Sequence, residues 1–421
     1  MLIEFSATNF RSIREIQKLS LVAGTGKEHL GQNTFDSGLP GFPRLLRSAV
    51  IYGANAAGKT NLLRALQFMH GLVLGSAAFQ QETRVAHNPF RLSKQTTSQP
   101  SEFEVVFADE GVRYEYGFTV DAERIHDEWL IAYPHGRPQS WFERTYNKKK
   151  NAHEWQFSSK LKGSPRVWRD ATRANALFLS TATQLNSEQL SPIFRWFQKK
   201  LVIIVTGSPT QLNMGLTFQL LEQSDGKQRL LKFVKAADLG IDDLSLQRVP
   251  LAAATAIGGN VVREPQPGDQ IPSVMRVTSY HKASDSEQRI AMDLGDESSG
   301  TVALFNSAGA WLNVLKNGEV ILYDEIDTSL HPLMTRFLIG LFHEKSTNPK
   351  NAQLVFTTHD TSLLDSEIFR RDQIWFIEKD RNGASRLYPL TEFSPRKDEK
   401  LERGYLRGRY GALPFIGELK L

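Results

Sequence analysis

Gly53-Ala54-Asn55-Ala56-Ala57-Gly58-Lys59-Thr60 is the segment of this 421-residue chain that most strongly indicates its fold. It matches the pattern G-x-x-x-x-G-K-[ST] at every fixed position. The apolar run 49–52 precedes it and a helical pattern over 61–74 follows it, which is the strand, glycine loop and helix order of a phosphate-binding loop. The glycines let backbone N–H groups turn inward around phosphates, and the helix adds its positive N-terminal end. The alternative is a glycine-rich turn that binds nothing.

Two side chains of this stretch carry the expected chemistry. Lys59 can reach the β and γ phosphates of a nucleotide, and the Thr60 hydroxyl can ligate Mg²⁺. We therefore predict ATP and Mg²⁺ as ligands. The predicted nucleotide contacts in this region are Gly53, Asn55, Gly58, Lys59, Thr60 and Asn61.

Two further apolar runs end in residues with matching chemistry. The run 320–323 leads into Asp324 and Glu325, and we predict that Asp324 holds Mg²⁺ while Glu325 orients or deprotonates the attacking water. The alternative is an acidic helix cap after a buried strand. The run 354–356 leads into Thr357-Thr358-His359-Asp360. We predict that His359 hydrogen-bonds the γ phosphate and reports its presence, with a purely structural histidine as the alternative.

A second candidate anion site opens the helix predicted over 300–316. Ser298, Ser299 and Gly300 offer small side chains and free N–H groups at a helix N-terminus, although an ordinary helix cap has the same composition. The loop 53–60 already supplies one phosphate cradle. The second cradle is therefore expected to close over the nucleotide of another copy of the chain.

The remaining pattern predicts an α/β protein. After residue 285 strands alternate with helices, which indicates a parallel, doubly wound sheet. Segments 103–107 and 114–120 predict a hairpin with a third strand near 128–131, and residues 169–240 look largely helical. Glycine- and proline-rich loops are predicted over 24–43 and 250–272.

Composition limits the class of protein. With 40% hydrophobic and 23% charged residues, the chain is neither disordered nor fibrous. Its net charge of +5 is compatible with a basic patch but does not by itself predict one. It has no cysteine, which excludes disulfides, thiolate metal sites and cysteine nucleophiles and suits a reducing cytoplasm. We expect no signal peptide, and no stretch approaches the roughly 18 apolar residues of a membrane helix. The predicted location is cytoplasmic, with no membrane partner.

The four motifs, in this order, resemble those of the ABC-type ATPases of the SMC, RecF, RecN and OLD group. Residues 53–60 look like Walker A, 298–301 the signature, Asp324-Glu325 Walker B, 327–331 the D-loop and His359 the switch. The opening Asn9-Phe10-Arg11-Ser12 is similar to the N-F-R-S turn of these chains, which implies that Arg11 lies near the nucleotide. The signature reads E-S-S-G-T rather than L-S-G-G-Q.

The resemblance covers about residues 1–130 and 280–395 and implies a fold and a reaction. The expected fold is an ABC-type P-loop ATPase head with an N-terminal antiparallel β-subdomain, a parallel core sheet and an inserted compact helical lobe. The expected domains are the first half of the head over 1–160, the lobe over 161–280 and the second half with a basic tail over 281–421. The expected reaction converts ATP and water to ADP and phosphate. Gln95 and Gln99 are the nearest candidates for a Q-loop glutamine.

A short bacterial branch of this group resembles the chain over longer motifs: E-S-S-G-T, D-E-x-D-x-S-L-H-P, T-T-H-D and a tail like Gly408–Pro414. Its members look like stand-alone ATPase subunits of anti-phage defence systems of the RloA and AbiL type, the PARIS ATPase and, more distantly, Septu. This resemblance implies a sensor and scaffold subunit that forms a homodimer or higher even-numbered oligomer. It also implies a separate nuclease-like effector encoded nearby and a DNA or phage-protein trigger.

Two other functions stay open. One is a RecF-like DNA-repair ATPase that binds duplex DNA; the other is a regulatory ATPase that restrains a toxic partner without sensing phage. Solvated charges are the alternative to DNA contacts. Glu378 and Asp380 suggest a solvated turn rather than a nuclease site. The candidate DNA contacts are Lys148, Lys149, Lys150, Lys160, Lys162, Arg166, Arg169, Arg403, Arg407 and Arg409.

Overall fold

The structure is a computed structural model that describes residues 1–205, 211–237, 239–250, 273–395 and 399–414. The chain divides into two compact units. The first unit contains Met1–Ser208, Val314–Asp327 and Leu338–Leu421, and the second contains Pro209–Asn313 and Thr328–Phe337.

Regular structure covers most of the described residues. Eighteen β-strands lie within them: β1 (Leu2–Thr8), β2 (Gln17–Ser20), β3 (Thr34–Leu39), β4 (Phe42–Leu46), β5 (Ser48–Tyr52), β6 (Ser101–Asp109), β7 (Val112–Val120), β8 (Ile125–Tyr133), β9 (Gln139–Asn147), β10 (Ala152–Phe157), β11 (Leu201–Ile204), β12 (Asp243–Pro250), β13 (Ser273–Lys282), β14 (Arg289–Asp293), β15 (Val320–Tyr323), β16 (Gln353–Thr357), β17 (Ile374–Lys379) and β18 (Ser385–Pro389). The same residues contain ten α-helices: α1 (Lys59–Gly75), α2 (Lys94–Thr97), α3 (Pro165–Ala171), α4 (Phe178–Gln184), α5 (Ser191–Lys200), α6 (Gln211–Glu222), α7 (Ser224–Ala236), α8 (Ser299–Asn317), α9 (Pro332–His343) and α10 (Leu401–Leu406).

The first unit is built around a six-stranded sheet in the order β11-β15-β16-β5-β17-β18. The first five strands are mutually parallel, and β18 joins antiparallel to β17. Every residue of β5 and of β16 is buried, as expected for strands inside a parallel sheet that is covered on both faces. Because the strands are parallel, the segments that follow β5, β15 and β16 emerge at one edge of the sheet.

A second sheet of the first unit is antiparallel and has the order β10-β9-β8-β7-β6-β1-β2. Helices α1 and α5 pack on its apolar face. The Phe68 ring of α1 lies 5.0 Å from that of Phe103 on β6, and Trp196 of α5 stacks on Phe107 at 4.1 Å, both between ring centroids. One hydrophobic cluster joins this face, α1 and the core sheet, so α1 is held from both sides.

A buried ion pair fixes the antiparallel sheet to α4. Glu128 and Arg144 are fully enclosed, with 3.6 Å between Oε2 and Nη1. The Glu128 carboxylate also accepts hydrogen bonds from the backbone N–H groups of Phe178 and Leu179 at 2.6 and 3.0 Å, which occupies the N-terminus of α4. Arg144 donates to the Ala176 carbonyl at 2.7 Å. Loss of either charge would leave its partner buried and unpaired, at a cost of about 3–5 kcal/mol.

The second unit contains the antiparallel sheet β12-β13-β14, with α6, α7 and the beginning of α8. Helices α6 and α8 approach closely at Gly309. The Thr217 hydroxyl accepts the Gly309 N–H at 2.9 Å and donates to the Phe305 carbonyl at 3.2 Å. A Cβ atom at Gly309 would lie 2.3 Å from the Thr217 nitrogen, so only glycine allows this approach.

The predicted α/β class, with an antiparallel N-terminal subdomain and a parallel core sheet, is confirmed. Two segments differ from the sequence interpretation. The predicted loop 24–43 contains β3 and the start of β4, which pair with each other. The segment 161–280, predicted as a helical lobe, contains α3–α7 but also β11, β12 and part of β13, and β11 extends the core sheet.

The boundary of the second unit therefore begins at Pro209 rather than at 161. The reason is β11, whose apolar residues pair with β15 and tie the preceding helices to the first unit. The loop predicted over 250–272 lies, apart from Pro250 at the end of β12, outside the described residues. No helix within the described ranges is both long and apolar enough to cross a membrane.

Candidate functional site

Three loops of the first unit bring the predicted catalytic residues together at the carboxyl edge of the core sheet. The loop 53–58 follows β5, Asp324 and Glu325 follow β15, and 358–360 follow β16. These strands are neighbours in the order β15-β16-β5. A shared edge and adjacent strands explain why motifs separated by some 300 residues meet.

The Lys59 ammonium lies at the centre of this site. Its side chain is 5% exposed and donates to the carbonyls of Gly53 at 2.7 Å and Ala54 at 3.3 Å. Burial lowers the pKa of Lys59 to about 8, against the opposing attraction of Glu325 and the other nearby carboxylates. A bound phosphate would stabilise the charged form of this lysine and give the ammonium a stronger acceptor than the carbonyls.

The backbone of the phosphate-binding loop is fixed from outside the loop. Gly58 has φ 117°, and a Cβ there would lie 2.1 Å from Ser385 Oγ. The Ser385 hydroxyl donates to the Ala57 carbonyl at 2.6 Å and contacts Ser12 Oγ at 2.8 Å, which also accepts from the Asn61 amide at 2.8 Å. Ser12 and Ser385 thus hold the C-terminal part of the loop, where it enters α1. Asn55 lies exposed at its tip.

Asp324 and Thr60 form a candidate Mg²⁺ site. Asp324 is 3% exposed, and its Oδ1 accepts from the hydroxyls of Thr60 at 3.2 Å and Thr357 at 2.7 Å. Its Oδ2 is buried and has no hydrogen-bond partner among the described residues. A buried carboxylate oxygen without a donor, next to a hydroxyl, is the hard oxygen environment that Mg²⁺ prefers. The residues therefore fit the ion.

Glu325 is held by its backbone at the mouth of the site. Its φ is 52°, an unusual value for a residue other than glycine, and its N–H donates to Thr357 Oγ1 at 2.7 Å. Thr357 thereby connects Asp324 and Glu325 through one hydroxyl. The Glu325 side chain is about one-third exposed, as a carboxylate that acts on a water molecule needs to be.

His359 lies between the lysine and the glutamate. Its Nδ1 is 3.5 Å from Lys59 Nζ and its Nε2 is 4.0 Å from Glu325 Oε1. Its backbone N–H donates to the Asp327 carboxylate at 3.2 Å. Burial, followed by the charge of Lys59, lowers the pKa of His359, which keeps the ring neutral near pH 7. With Lys59 beside Nδ1, the tautomer that carries its proton on Nε2 is favoured.

The predicted signature residues belong to the second unit. Ser298 precedes α8, and its hydroxyl accepts the Thr301 N–H at 3.1 Å, so it serves as a helix cap in this structure. Ser299 is exposed at the first position of α8. A Cβ on Gly300 would lie 2.6 Å from the Ser329 carbonyl of the predicted D-loop, so the glycine permits a close approach of these two motifs. Both the cap and the anion-site interpretations remain compatible with this geometry.

Other predicted residues are less central. Arg11 is exposed and has a φ of 52°. Its guanidinium lies 5.7 Å from the Phe10 ring centroid. The partial burial of this group, followed by the charges of Arg64 and Arg91, lowers the pKa of Arg11. The described contacts link its neighbour Ser12, rather than Arg11, to the phosphate-binding loop. Gln95 and Gln99 are exposed on and just after α2, and their Q-loop role stays a prediction.

The acids considered for a nuclease have structural uses. Glu378 accepts the Ala412 N–H at 3.0 Å and so anchors the C-terminal tail. Asp380 accepts the N–H groups of Asn382 and Ala384, each at 2.8 Å, which closes the turn before β18. Asp380 fits the predicted turn, whereas Glu378 lies within β17 rather than in a turn.

Sequence reasoning missed Ser12, Ser385 and Thr357 as parts of the site. Ser12 belongs to the N-F-R-S turn and Thr357 to the T-T-H-D motif, so both lie in motifs that the sequence shows, although the motifs predict no role for these two residues. Nothing in the sequence around Ser385 indicates its contact with a loop more than 300 residues away.

Residues 48–365 match the family model described as AAA domain, putative AbiEii toxin, Type IV TA system. Among solved structures, the chain is similar to the Smc head domain with an extended coiled coil bound to the C-terminal domain of ScpA, from Pyrococcus furiosus. The identity is 14% and the TM-score 0.40, over 92% of this chain and 96% of that chain. No curated protein matches.

Proposed function

Because the chain belongs to the AAA domain family and is a nucleotide-binding ATPase of the P-loop class, we propose that it hydrolyses ATP to ADP and phosphate with Mg²⁺. One observation supports this most directly: Lys59, Thr60, Asp324, Glu325 and His359 converge within a single compact unit.

Each residue has a role that follows from its position. Lys59 and the N–H groups of 53–60 bind the phosphates, and Thr60 with Asp324 would hold the Mg²⁺, which neutralises phosphate charge when bound. Glu325 orients the attacking water and accepts its proton. His359, neutral and able to donate from Nε2, positions the γ phosphate next to Glu325.

Phosphate release with single variants tests this assignment. We expect Glu325→Gln to retain ATP binding but to lose turnover by about 10²-fold or more, because a general base typically contributes that much. Lys59→Ala should lose binding itself. The exposed residues Glu188 and Lys94 provide matched controls, and Glu188→Gln and Lys94→Ala should behave as wild type. Unchanged turnover in Glu325→Gln would refute the assignment.

We further propose that the chain is the sensor and scaffold subunit of a bacterial anti-phage defence system in the cytoplasm. Two copies would pair, each binding ATP between 53–60 of one copy and Ser298–Thr301 of the other, as a homodimer or higher even-numbered oligomer. Closure would control a separate nuclease-like effector in response to DNA or a phage protein. The family description names a toxin–antitoxin system, which is compatible with an ATPase that acts together with a second protein.

Phage plating tests the defence role. Cells carrying this gene with its chromosomal neighbour are compared with cells carrying either gene alone, or the pair with Lys59→Ala. A reduction in plating that requires both genes and Lys59 supports the proposal. Unchanged plating over a broad phage panel, together with sensitivity to DNA damage when the gene is deleted, would favour a repair function instead.

A RecF-like DNA-binding ATPase is the second candidate because the first unit exposes several lysines and arginines. Lys148 and Lys149 lie exposed in the turn between β9 and β10, and Lys160, Lys162 and Arg166 lie exposed in the segment that follows β10. By contrast, Lys150 pairs with Glu154, Arg169 with Asp170 and Arg409 with Glu399, while Arg403 and Arg407 are exposed in the tail. Duplex binding that weakens steeply with salt would support this candidate.

A regulatory ATPase that restrains a toxic partner without a phage trigger predicts a different result: deletion of this gene alone would be toxic to the cell.

A further inference from the structure

An unpaired buried hydroxyl lies directly before the phosphate-binding loop. Tyr52 is the last residue of β5 and is 1% exposed. Its ring centroid lies 6.2 Å from that of Phe376 and 6.0 Å from that of Tyr405. Its hydroxyl has no hydrogen-bond partner among the described residues. A buried hydroxyl without a partner is unfavourable, which favours any rearrangement that brings an acceptor to it.

Asp360, the residue after His359, offers such an acceptor. Its Oδ1 accepts the Ser362 N–H at 2.9 Å, whereas its Oδ2 is buried and has no partner within the described ranges. Burial and then the charges of Asp360 and Asp327 raise the pKa of Tyr52 well above its usual range. The backbone also places the two residues near each other, because the Thr358 N–H, two residues before Asp360, donates to the carbonyl of Ile51, the neighbour of Tyr52, at 3.4 Å. Both groups lack a hydrogen-bond partner among the described residues.

The C-terminal tail supports both groups. Tyr405 of α10 packs against Tyr52, and Glu402 of the same helix accepts the Thr361 hydroxyl of the loop 358–363 at 3.0 Å. The tail motif Gly408–Pro414 holds α10 in place, because the Tyr405 hydroxyl donates to the Ala412 carbonyl at 3.0 Å. One short helix thus contacts both β5 and the loop that carries His359.

We propose that Tyr52 is a positioning residue for His359: when nucleotide binds, the loop 358–363 shifts so that the Tyr52 hydroxyl donates to Asp360 Oδ2. The new bond fixes the neighbour of His359 without disturbing the cap that Asp360 Oδ1 makes to Ser362. It replaces two unpaired buried groups by one pair, which favours the nucleotide-bound position. The inference rests on the proposed ATP hydrolysis, and it gives the tail motif a role as the support of this pair.

Tyr52→Phe and a matched control separate this role from a structural one. Tyr116 of β7 is also a buried tyrosine of the first unit, but its hydroxyl already donates to Glu128 Oε1 at 3.0 Å. We expect Tyr52→Phe to keep or raise the Tm of the nucleotide-free protein, to lower kcat by about three- to tenfold and to leave KM nearly unchanged. We expect the opposite pattern for Tyr116→Phe, which should lower the Tm and keep kcat.

Every other pattern overturns the inference. A lower Tm in Tyr52→Phe, with or without a loss of kcat, would show that the hydroxyl is already bonded before nucleotide binds. Unchanged Tm and unchanged kcat would show that the pair does not form. A wild-type protein that hydrolyses no ATP would instead refute the proposed function, and this result is distinct because no variant is needed to see it.

Discussion

Among single residues, His343 is one through which the stability of the protein depends on pH. Its Nε2 lies 2.8 Å from Ser48 Oγ of β5, and its ring meets that of Phe369 edge-on at 5.8 Å. Burial, with smaller contributions from the charges of Arg47 and His29, lowers the pKa of His343 to about 3. The histidine is therefore neutral in the folded protein at every physiological pH.

This pKa predicts a loss of stability in acid. The unfolded chain has the ordinary histidine pKa of 6.5, so below pH 6.5 it binds a proton that the folded protein does not. The contribution of His343 to the free energy of unfolding is fully present above pH 6.5. It decreases as the pH falls towards 3, by up to about 1.4 kcal/mol per pH unit. Urea unfolding at pH 7, 6 and 5 measures the slope.

The control variant is His343→Gln, which replaces the imidazole next to Ser48 by a polar amide that cannot titrate. Carboxylates elsewhere contribute equally to both proteins, so the difference between the two slopes reports His343 alone. Parallel slopes for wild type and variant would contradict the prediction.

Sequence patterns could identify the residues that meet at the candidate site but not the residues that support them. Lys59, Asp324, Glu325 and His359 follow from motif spacing, because their chemistry requires particular side chains at strand ends. Ser385 could not be found in this way, since a serine is common in turns and its partner Ser12 lies 373 residues away in sequence. Only the tertiary structure decides which serine meets the loop.

At the scale of elements, the approach of α6 and α8 at Gly309 sets the packing of the second unit. We predict that Gly309→Ala lowers the free energy of unfolding by about 1–3 kcal/mol, because the new methyl group meets the Thr217 backbone at 2.3 Å and the helices must separate. Gly215→Ala on α6 is the matched control. No atom of the described residues lies within 4 Å of a Cβ built there, so that variant should be neutral or stabilised by the helix propensity of alanine.

Thermal unfolding of both variants measures the effect, with circular dichroism of the folded state as a check on structure. Equal stabilities of Gly309→Ala and Gly215→Ala would mean that the helices do not approach as closely as the contact with Thr217 indicates.

Element prediction from sequence succeeded where burial produces long apolar runs and failed where pairing depends on distant segments. Strands β5, β15 and β16 are short apolar runs that end in motif residues, and each was expected. Strand β11 follows an amphipathic helix and becomes a strand through its pairing with β15, some 120 residues later. Strands β3 and β4 stabilise each other inside a segment rich in turn formers.

At the scale of the whole molecule, ATP should control assembly. One copy of the chain has a complete set of lysine, carboxylates and histidine in its first unit, and a separate helix N-terminus at Ser298–Gly300 in its second unit. A phosphate cradle at that second position is useful if it binds the nucleotide of another copy. Trapping ATP should therefore increase the fraction of dimer.

We predict that Glu325→Gln with ATP and Mg²⁺ forms a stable dimer in light scattering, because binding is retained while turnover is blocked. Adding Ser299→Arg should abolish this dimer. Ser299 is exposed, so the arginine fits the isolated copy and interferes only with a surface that approaches it. Ser284→Arg, at another exposed serine of the second unit, is the matched control and should leave the dimer intact. If neither Glu325→Gln nor Ser299→Arg changes the ATP-dependent dimer fraction, the shared site is wrong, and the cap role of Ser298 becomes the complete account of this motif.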